Sequence, residues 1–401
     1  MAPLIDPDTA RDLVLRHALP RAPLSLAIDQ TIGLQLTEDI RADADYPPFP
    51  RAMMDGYAVR LLDAGRVVKV IGESAAGHPC DFVVGAGEAV AIMTGAPCPR
   101  GTEAVVPKER VEDAEEGVRL PLDIKPMANL MPKASECARG DVILRAGDWI
   151  TPLALAALHT FGIRHVRATP RPTAAVITTG DELVPSHMSP GPAQIRNSNG
   201  PMLSGALRLL GVEDVLVLHA NDDSHAFSAA LDQARPRDLI VLSGAVSAGK
   251  YDTVPQALQT YGATRVFHKV SQQPGKPLLF AVNESQLIFG LPGNPLSCHL
   301  GIHRYIAPAV RKILGMPHEP DATEGILTAP VAAKDTRTLF QLVCAHADDA
   351  GYRVNPTRGK SSADLYSGAL ANAMIRIEPG QGEIAAGTKI RFEWLLGSVR
   401  R

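Results

Sequence analysis

The chain has 401 residues, more than one hydrophobic core usually supports, so several domains are expected. Hydrophobic residues make up 45% of it, as in ordinary globular proteins. A formal net charge of -3 excludes the general attraction to nucleic acid or anionic membranes that basic proteins have. We therefore expect neither a nucleic acid nor a membrane as partner, and any anionic ligand must be bound by a local site.

The five cysteines are far apart and form no CxxC pair, so neither a zinc framework nor a disulfide scaffold is indicated. No apolar run reaches the roughly 18 residues of a membrane span. Asp6 and Asp8 stand where a signal peptide would have its basic start and apolar run. These features predict a cytoplasmic protein.

The first predicted elements are a helix over residues 8–19 and short strands over residues 24–40. Brief apolar runs separated by Gly, Pro and Asp then indicate a small β-domain over residues 46–140. A second helix is predicted over residues 151–162, with Thr151 as its cap. We predict that residues 1–45 and 141–168 form an N-terminal scaffold domain into which the β-domain is inserted.

Strands and helices alternate between residues 171 and 315, which indicates a mostly parallel sheet. Such sheets bind ligands at the carboxyl ends of their strands, and four polar loops follow predicted strands: TTGDEL, HANDD, SGAVSAGKYD and GLPGNP. Short β-like runs return after residue 317. The expected fold is multidomain α/β plus β, with a central α/β domain of residues 169–317 and a C-terminal β-barrel of residues 318–401.

The loop of residues 243–250 fits the G-x-x-x-x-G-K pattern of nucleotide hydrolases, but Tyr251 stands where magnesium coordination needs Ser or Thr. A conventional P-loop hydrolase is therefore disfavoured. A glycine-rich turn at a strand end still binds phosphate through backbone N–H groups, although a purely structural turn is the alternative. The binding residues predicted here are Ser243, Gly244, Ser247 and Gly249.

Five acidic residues fall at or just beyond predicted strand ends: Asp181, Glu182, Asp222, Asp223 and Asp252. Several carboxylates around a phosphate site suit Mg²⁺, which takes one or two of them together with substrate oxygens. Helix capping is the alternative for Asp181, Asp222 and Asp223. We predict a magnesium site formed by Asp252, Glu182, Asp222 and Asp223, with the first two as its chief ligands.

Two proline- and glycine-rich sequences, PGKP at residues 274–277 and GLPGNP at residues 290–295, predict stiff turns. Lys276 is a point charge suited to phosphate or molybdate, and a solvated loop lysine is the alternative. By spacing alone, AMMDGYAV and MTGAP are turns that join strands. The binding residues predicted in the two stiff turns are Gly275, Pro292, Gly293, Asn294 and Pro295.

Taken in this order, MDGYAV, IMTGAP, TTGDEL, QIRNSN, SGAVSAGKYD, PGKP and GLPGNP resemble the molybdopterin molybdenumtransferase family, which includes the E domain of gephyrin. The resemblance runs through nearly the whole chain. It implies an elongated homodimer of four-domain subunits, in which the N-terminal scaffold also serves dimerisation. The implied activity is a magnesium-dependent transferase that reacts adenylylated molybdopterin with molybdate, releases AMP and forms molybdenum cofactor.

The resemblance also implies residue roles. Asp55 and Thr94 would approach the site from the partner subunit, and Ser367 would join the binding residues. With Asp252, Glu182 and Lys276, Asp55 completes the expected catalytic set. The molybdopterin adenylyltransferase and the recipient molybdoenzymes are the further partners that the resemblance implies.

The chain departs from the family's pattern at several positions, and a catalytically impaired paralogue that binds molybdopterin or the finished cofactor as a scaffold or carrier remains the alternative. One departure removes an arginine expected to face the anionic substrate, because Gln-Arg-Gly reads Gln341, Leu342 and Val343. The other departures are Pro50, Arg51 and Ala52 before MDGYA, Ala245 in the phosphate loop, Glu136 as the remaining acid of an Arg-rich stretch, and Gln273 in place of a lysine.

Overall fold

A computed structural model describes residues 4–78, 81–244, 254–332, 336–357, 359 and 361–399. The chain divides into two compact units, Pro23–Ala168 and the combined segments Met1–Ala22 and Thr169–Arg401. None of the described helices has the length and apolar character needed to cross a membrane. The helices are α1 (Pro7–His17), α2 (Pro152–Thr160), α3 (Asn199–Leu209), α4 (Ser224–Gln233), α5 (Val254–Thr260), α6 (Pro295–Gly301), α7 (Ala307–Ile313) and α8 (Leu365–Leu370), with a π-helix at Ile302–Ile306.

The unit of residues 23–168 is built from short strands: β1 (Leu24–Ala27), β2 (Ile40–Arg41), β3 (Arg51–Ala52), β4 (Gly56–Val59), β5 (Val67–Ser74), β6 (Glu88–Ile92), β7 (Ala104–Pro107), β8 (Glu112–Ala114), β9 (Gly117–Arg119), β10 (Leu130–Met131), β11 (Val142–Leu144) and β12 (His165–Ala168). Six of them form a sheet in the order β7-β4-β6-β5-β9-β8. The pairs β1–β12 and β2–β11 bring the two ends of this unit together beside α2.

Local chemistry explains the ends of two elements in this unit. The Thr151 side chain accepts a hydrogen bond from the backbone N–H of Ala154 and caps α2, whose first residue is Pro152. At the start of β4, a Cβ on Gly56 would lie 2.0 Å from the carbonyl oxygen of Val106. Only glycine therefore fits the pairing of β4 with β7.

The second unit holds the remaining strands: β13 (Ala174–Thr179), β14 (Leu183–Val184), β15 (Ile195–Arg196), β16 (Val215–Ala220), β17 (Leu239–Gly244), β18 (Thr264–His268), β19 (Gln272–Gln273), β20 (Leu279–Val282), β21 (Leu287–Pro292), β22 (Ala322–Leu327), β23 (Val331–Ala332), β24 (Thr338–Asp348), β25 (Gly351–Pro356), β26 (Ala373–Ile377), β27 (Glu383–Ile384) and β28 (Lys389–Trp394). Twelve of them form two large sheets, and the pairs β14–β15 and β23–β27 form two-stranded sheets. One large sheet is covered by helices, and the other closes on itself.

The helix-covered sheet has the order β16-β13-β17-β21-β20-β18. Its first four strands are parallel, β20 pairs antiparallel with β21, and β18 pairs antiparallel with β20. Every residue of β13 and β21 is buried, as expected for central strands covered on both faces. The predicted α/β fold with a mostly parallel sheet is therefore confirmed.

The closed sheet joins β24, β25, β22, β28 and β26 in that order, and β26 pairs back with β24. Its interior contains Phe392 and Trp394, whose ring centroids lie 5.0 Å apart. The two-residue strand β19 adds to this barrel by pairing in parallel with the start of β24. The barrel is thereby tied directly to the segment that precedes the PGKP turn.

Helix α1 packs within this second unit. The guanidinium group of Arg304, which is almost fully buried, pairs with Asp8 of α1 at 3.0 Å and with Glu393 of the barrel at 3.2 Å. Lys312 of α7 donates a hydrogen bond to the carbonyl oxygen of Leu15. The predicted domain boundaries remain predictions, but these contacts assign α1 to the same compact unit as the α/β sheet.

Candidate functional site

The four parallel strands end at one edge of the α/β sheet. In the strand register, Thr178 of β13 pairs with Ser243 of β17, and Gly244 pairs with Pro292 of β21. The loops that follow these strands therefore start side by side. This is the edge at which open parallel sheets bind ligands, as the sequence predicts.

Gly244 occupies a position that no other residue fits. Its φ angle is +123°, and a Cβ there would lie 2.4 Å from the hydroxyl oxygen of Thr179. The last residue of β17 therefore has a conformation and surroundings that only glycine permits. Residues 245–253 follow, so Ser247, Gly249 and Asp252 lie outside the described residues.

Asn199, the last asparagine of QIRNSN, joins two of the predicted binding turns. Its side-chain nitrogen donates to the hydroxyl of Ser243 at 2.9 Å and to the carbonyl oxygen of Gly293 at 2.7 Å. The residue is 9% exposed, and its side-chain oxygen has no partner among the described residues. Sequence reasoning missed this residue as a site component, although the QIRNSN motif contained it.

Cys298 of α6 packs behind the same turns as a neutral thiol. Its Sγ donates to the carbonyl oxygen of Pro292 at 2.8 Å and lies 3.4 Å from the hydroxyl oxygen of Ser243. Burial raises the pKa of this thiol to about 12. Cys298 therefore supports the turn and is unsuited to act as a nucleophile.

The acidic residues of the strand-end loops differ in their surroundings. Asp223 caps α4 by accepting from the N–H of Ala226 at 2.8 Å, and Asp181 accepts from the N–H of Asp222 at 3.1 Å. The Glu182 carboxylate folds over Gly180, where a Cβ would meet it at 2.4 Å. Glu182 and Asp222 are exposed and keep their carboxylates free of hydrogen bonds to described residues.

These acids do not by themselves form a complete metal centre. Within the part of the chain that the structure describes, no three His, Cys, Asp or Glu residues come together to hold a metal ion. Glu182 and Asp222 fit the small number of carboxylates that Mg²⁺ uses when substrate oxygens and water complete its shell. Asp252, one of the two predicted chief ligands, lies outside the described residues.

A cleft of about 430 Å³ opens between the α/β sheet and the barrel. The PGKP turn, Pro292 and Asn294 line it on the α/β side, which brings these predicted binding residues together. Pro295 begins α6, and Gly293 accepts from Asn199 behind the turn. Ser367 does not line the cleft; its hydroxyl donates to Asp364 at 3.0 Å.

The PGKP turn is held in place by buried neighbours. Gln272 is fully buried, and its side-chain nitrogen donates to the carbonyl oxygen of Gly275 at 3.2 Å. The Lys276 carbonyl oxygen accepts from the backbone N–H groups of Val270 and Leu278. The backbone of Lys276 is thus fixed while its side chain is exposed.

Two further residues line the cleft that sequence reasoning did not select. Arg337 precedes β24 and donates to the carbonyl oxygen of Gln272 at 3.4 Å, and His299 lies on α6. Burial, with a smaller contribution from the nearby His303, lowers the pKa of His299 to about 4. His299 is therefore uncharged at neutral pH.

In the other unit, Asp55 and Thr94 join the MDGYA and MTGAP turns. The Asp55 carboxylate accepts from both the backbone N–H and the hydroxyl of Thr94, each at 2.7 Å. These bonds hold the pKa of Asp55 below its usual range. The carboxylate is exposed and stays ionised at neutral pH.

Two of the departures from the family pattern contact each other in this unit. The guanidinium group of Arg51 forms an ion pair with Glu136 at 3.0 Å and stacks over the ring of Tyr46. Two residues that lie 85 positions apart in the sequence thus form one ion pair. The pair neutralises local charge beside the MDGYA turn.

Three family models match the chain in order: the MoeA N-terminal region (domain I and II) at residues 5–162, a probable molybdopterin binding domain at residues 175–312, and the MoeA C-terminal region (domain IV) at residues 324–395. The molybdopterin molybdenumtransferase of Staphylococcus aureus (strain MRSA252) is 32% identical over 373 residues, which cover 91% of this chain and 89% of the relative. The chain belongs to the molybdopterin molybdenumtransferase family.

Other members of the molybdopterin molybdenumtransferase family give the same result. The relative from Staphylococcus epidermidis is 31% identical over 373 residues, with 91% of this chain and 89% of that protein covered. The crystal structure of the molybdopterin biosynthesis moea protein from Pyrococcus horikoshii superposes with a TM-score of 0.79 at 28% identity, covering 98% of this chain and 99% of that one. The predicted family and its multidomain fold are confirmed.

Proposed function

We propose that this protein is a molybdenum insertase, which transfers molybdenum from molybdate to adenylylated molybdopterin and releases AMP. The observation that carries the proposal is the convergence of the strand-end loops and the PGKP and GLPGNP turns at one edge of the α/β sheet. Both relatives named above are molybdopterin molybdenumtransferases, and the match covers 89% of the length of each. The proposed substrate is therefore one anionic molecule that contains both a pterin and a phosphoanhydride bond.

The proposed reaction breaks the bond between the AMP phosphorus and the bridging oxygen of the anhydride. Water attacks that phosphorus and gives AMP directly, or a molybdate oxygen attacks it and water then cleaves the adenylyl molybdate to AMP and molybdate. Molybdenum is transferred when the two thiols of molybdopterin displace one molybdate oxide as water, without a change of oxidation state. The electron pair of the broken anhydride bond remains on the molybdopterin phosphate, where Lys276 stabilises the negative charge that develops. The backbone at Gly244 and Gly293 orients the phosphates with little further ordering. Asn199 already fixes this backbone, because its side chain links Ser243, the neighbour of Gly244, to Gly293.

We propose magnesium as the metal, held by Glu182 and Asp222 together with Asp252. Two observations support this: the first two carboxylates are exposed, and no described residue donates a hydrogen bond to them. Bound there, magnesium would neutralise phosphate charge in the transition state. Asp223 is the weakest of the four predicted ligands, because one of its oxygens already caps α4.

AMP release from adenylylated molybdopterin tests the function, with molybdate and magnesium each added or withheld. Asp252→Ala and Glu182→Gln should each slow release by about 100-fold or more, since loss of metal-held charge removes several kcal/mol of transition-state stabilisation. Glu213→Gln is the matched control, because Glu213 is an exposed acid at the opposite end of β16. AMP release that is unchanged in Asp252→Ala would contradict the assignment of Asp252 as a metal ligand.

A second candidate function is a catalytically impaired paralogue that binds molybdopterin or molybdenum cofactor as a scaffold or carrier. Leu342 favours it, because this apolar residue lines the cleft where the family pattern has an arginine. Tight binding of the pterin substrate without AMP release by the unaltered chain would establish this alternative. Metal-dependent release would exclude it.

We propose that the functional form is a homodimer, with Asp55 and Thr94 contributing from the partner subunit. Exposed apolar side chains surround their turns, as expected for a surface that another chain covers: Phe49, Met53, Met54 and Met93. Light scattering should give the mass of a dimer, and Met53→Glu combined with Met54→Glu should shift it towards the monomer. A monomeric unaltered chain would contradict the proposal.

A cytoplasmic location is the remaining part of the proposal. The four cysteines that the structure describes, Cys98, Cys137, Cys298 and Cys344, are all free thiols, which suits a reducing compartment. The molybdopterin adenylyltransferase that makes the substrate and the molybdoenzymes that receive the product are the proposed partners. Fractionation and co-purification from cells would test both statements.

A further inference from the structure

The short strand β3, which lies shortly before the MDGYA turn, is held between two other segments. On one side it pairs antiparallel with β10, so that Arg51 lies opposite Met131. On the other side Arg51 forms an antiparallel bridge with Pro97, the last residue of the MTGAP turn. β3 is therefore linked to both of the turns that carry Asp55 and Thr94.

The backbone of β3 binds the MTGAP turn directly. Ala52 donates its N–H to the carbonyl oxygen of Ala96 at 3.0 Å and accepts from the N–H of Gly95 at 2.8 Å. Ala52 and Ala96 are both buried in one apolar cluster. Thr94 is the neighbour of Gly95, and Ala52 leads into the MDGYA turn. A displacement of β3 would therefore alter the hydrogen bonds from Thr94 to Asp55.

Three contacts hold the side chain of Arg51. Its guanidinium group pairs with Glu136 at 3.0 Å, lies 3.3 Å from the sulfur of Met131 and stacks over Tyr46 with its carbon 5.4 Å from the ring centroid. The carbonyl oxygen of Tyr46 accepts from the backbone N–H of Glu136 at 3.1 Å and from that of Cys137 at 3.0 Å. Glu136 is thus fixed to the same residue on which Arg51 stacks.

The ion pair is better suited to fix a position than to stabilise the fold. The side chains of Arg51 and Glu136 are 28% and 43% exposed, and water and salt weaken the attraction between exposed charges. The planar guanidinium group is already ordered by the ring of Tyr46, so it loses less freedom when it binds the carboxylate. Removal of the pair should therefore leave the fold intact while β3 becomes less well fixed.

We propose that Arg51, paired with Glu136, is a positioning residue that holds the MDGYA and MTGAP turns in the arrangement in which Thr94 binds Asp55. The pair acts through β3, because the contacts of the described residues include no hydrogen bond or ion pair from Arg51 or Glu136 to Asp55. The importance of the pair for the reaction rests on the proposed function, in which Asp55 belongs to the catalytic set. Two departures from the family pattern thereby share one role.

Carboxyl-carbon NMR titration of Asp55 in the full chain tests the inference, because the backbone and hydroxyl hydrogen bonds from Thr94 lower the pKa of Asp55. Glu136→Gln removes the partner of Arg51 and leaves the guanidinium charge in place. Electrostatics alone would then lower the pKa of Asp55 further, since a nearby cation loses the acid that neutralises it. Loosened turns would raise that pKa towards its ordinary value, and this rise is the expected result.

Two variants of Arg51 and a control complete the titration series. Arg51→Lys keeps the charge but not the planar group, so it should raise the pKa of Asp55 less than Glu136→Gln does. The charge-swapped variant, Arg51→Glu with Glu136→Arg, restores an ion pair and should return the titration part of the way to that of the unaltered chain. Arg41→Gln is the matched control, because the Arg41 guanidinium group belongs to the same unit but donates to the carbonyl oxygen of Gly140.

Turnover measures the consequence for the reaction. Glu136→Gln should lower kcat for AMP release by about 10-fold or more, because a small misplacement of a reacting group is costly. The charge-swapped variant should recover part of this loss. Recovery by a reversed pair is a result that a residue needed only for folding, or a carboxylate needed at position 136 for its own charge, would not give.

The inference is overturned if Glu136→Gln, with a thermal transition like that of the unaltered chain, lowers the pKa of Asp55 or leaves it unchanged. It is also overturned if the charge-swapped variant titrates no nearer to the unaltered chain than Glu136→Gln does. The titrations need no substrate, so their outcome is separate from that of the proposed function. An unaltered chain that releases no AMP but gives the expected titrations would contradict the insertase and support the positioning role.

Discussion

Asp55 accepts two hydrogen bonds from Thr94, one from the backbone N–H group and one from the hydroxyl, each at 2.7 Å. The pair locks together two turns that lie far apart in the sequence. Because both bonds favour the ionised carboxylate, the pKa of Asp55 is lowered. The contribution of this pair is therefore present above the ordinary pKa of aspartate and is lost as the pH falls through the lower value in the folded protein.

Thr94→Val should raise the pKa of Asp55 towards its ordinary value, because the hydroxyl donor is lost while the backbone donor remains. Carboxyl-carbon NMR titration of the folded chain measures this shift. Thr102→Val is the matched control, since the Thr102 hydroxyl donates to a backbone carbonyl and has no contact with Asp55. An unchanged Asp55 titration in Thr94→Val would show that the hydroxyl bond is unimportant.

Asn199→Ala should destabilise the unit that contains the α/β sheet by about 1–3 kcal/mol, because the buried hydroxyl of Ser243 and carbonyl of Gly293 both lose a donor. It should also lower activity, since two binding turns lose their common link. Denaturant unfolding followed by far-UV circular dichroism measures the stability. The exposed Asn355→Ala should cost much less, and equal losses in the two variants would contradict the role given to Asn199.

Arg304→Met should destabilise the same unit by about 3–5 kcal/mol, because the buried guanidinium group pairs with Asp8 and Glu393 and its removal leaves Glu393 with only His303 as a partner. Arg353→Ala, which breaks a more exposed pair with Asp348, should cost at most about 1 kcal/mol. Thermal unfolding compares the two variants. Similar transition temperatures would show that the connection between α1, the π-helix and the barrel contributes little.

The stability of this unit should fall as the pH is lowered from neutral towards 4. Burial holds the pKa of His299 at about 4, against its ordinary value of 6.5, so the unfolded chain takes up a proton in this interval and the folded chain does not. His299→Gln should flatten the dependence of the transition temperature on pH between about 6.5 and 4. A profile as steep as that of the unaltered chain would rule out His299 as its source.

Carboxylates with lowered pKa values affect the stability of the fold at lower pH than His299 does. Burial alone would raise the pKa of Glu393, but the hydrogen bond from His303 and the charge of Arg304 outweigh it and lower the pKa. The stabilisation from Glu393 is therefore present above its ordinary pKa and is lost as the pH falls through its lower folded value. It should be absent from the pH profile of Glu393→Gln.

The sequence predicted the α/β sheet well because its central strands are continuous apolar runs and each is followed by a polar loop. The meeting of the loops after Thr179, Ala220, Gly244 and Pro292 followed from parallel topology alone. The glycine requirement at Gly244 depends in part on Thr179 of the neighbouring strand, a contact that the sequence does not show. The pattern of apolar runs and the parallel direction of the strands were thus sufficient to predict most of the location of the site.

Arg337 and Asn199 could not be selected on the same grounds. Arg337 reaches the cleft only because a two-residue strand pairs with a strand far along the chain, a contact without a local signal. Asn199 looks like a helix-start residue in sequence, and its two hydrogen-bond partners are set by tertiary packing. The pairing of Arg51 with Glu136 is hidden for the same reason, since the sequence shows each only as a separate departure from the family pattern.

The pairing of β19 with β24 has a consequence for recombination between relatives. Lys276 is encoded with the α/β sheet, whereas Arg337 and Leu342 are encoded with the barrel, so an exchange of the barrel-coding segment replaces one half of the cleft and leaves the other. A chimera carrying a relative's barrel would exchange both side chains in a single event while keeping the strand-end loops. Gene fusion between the two coding segments thus offers a route by which the lining of the cleft can diverge without any change in the strand-end loops of the sheet.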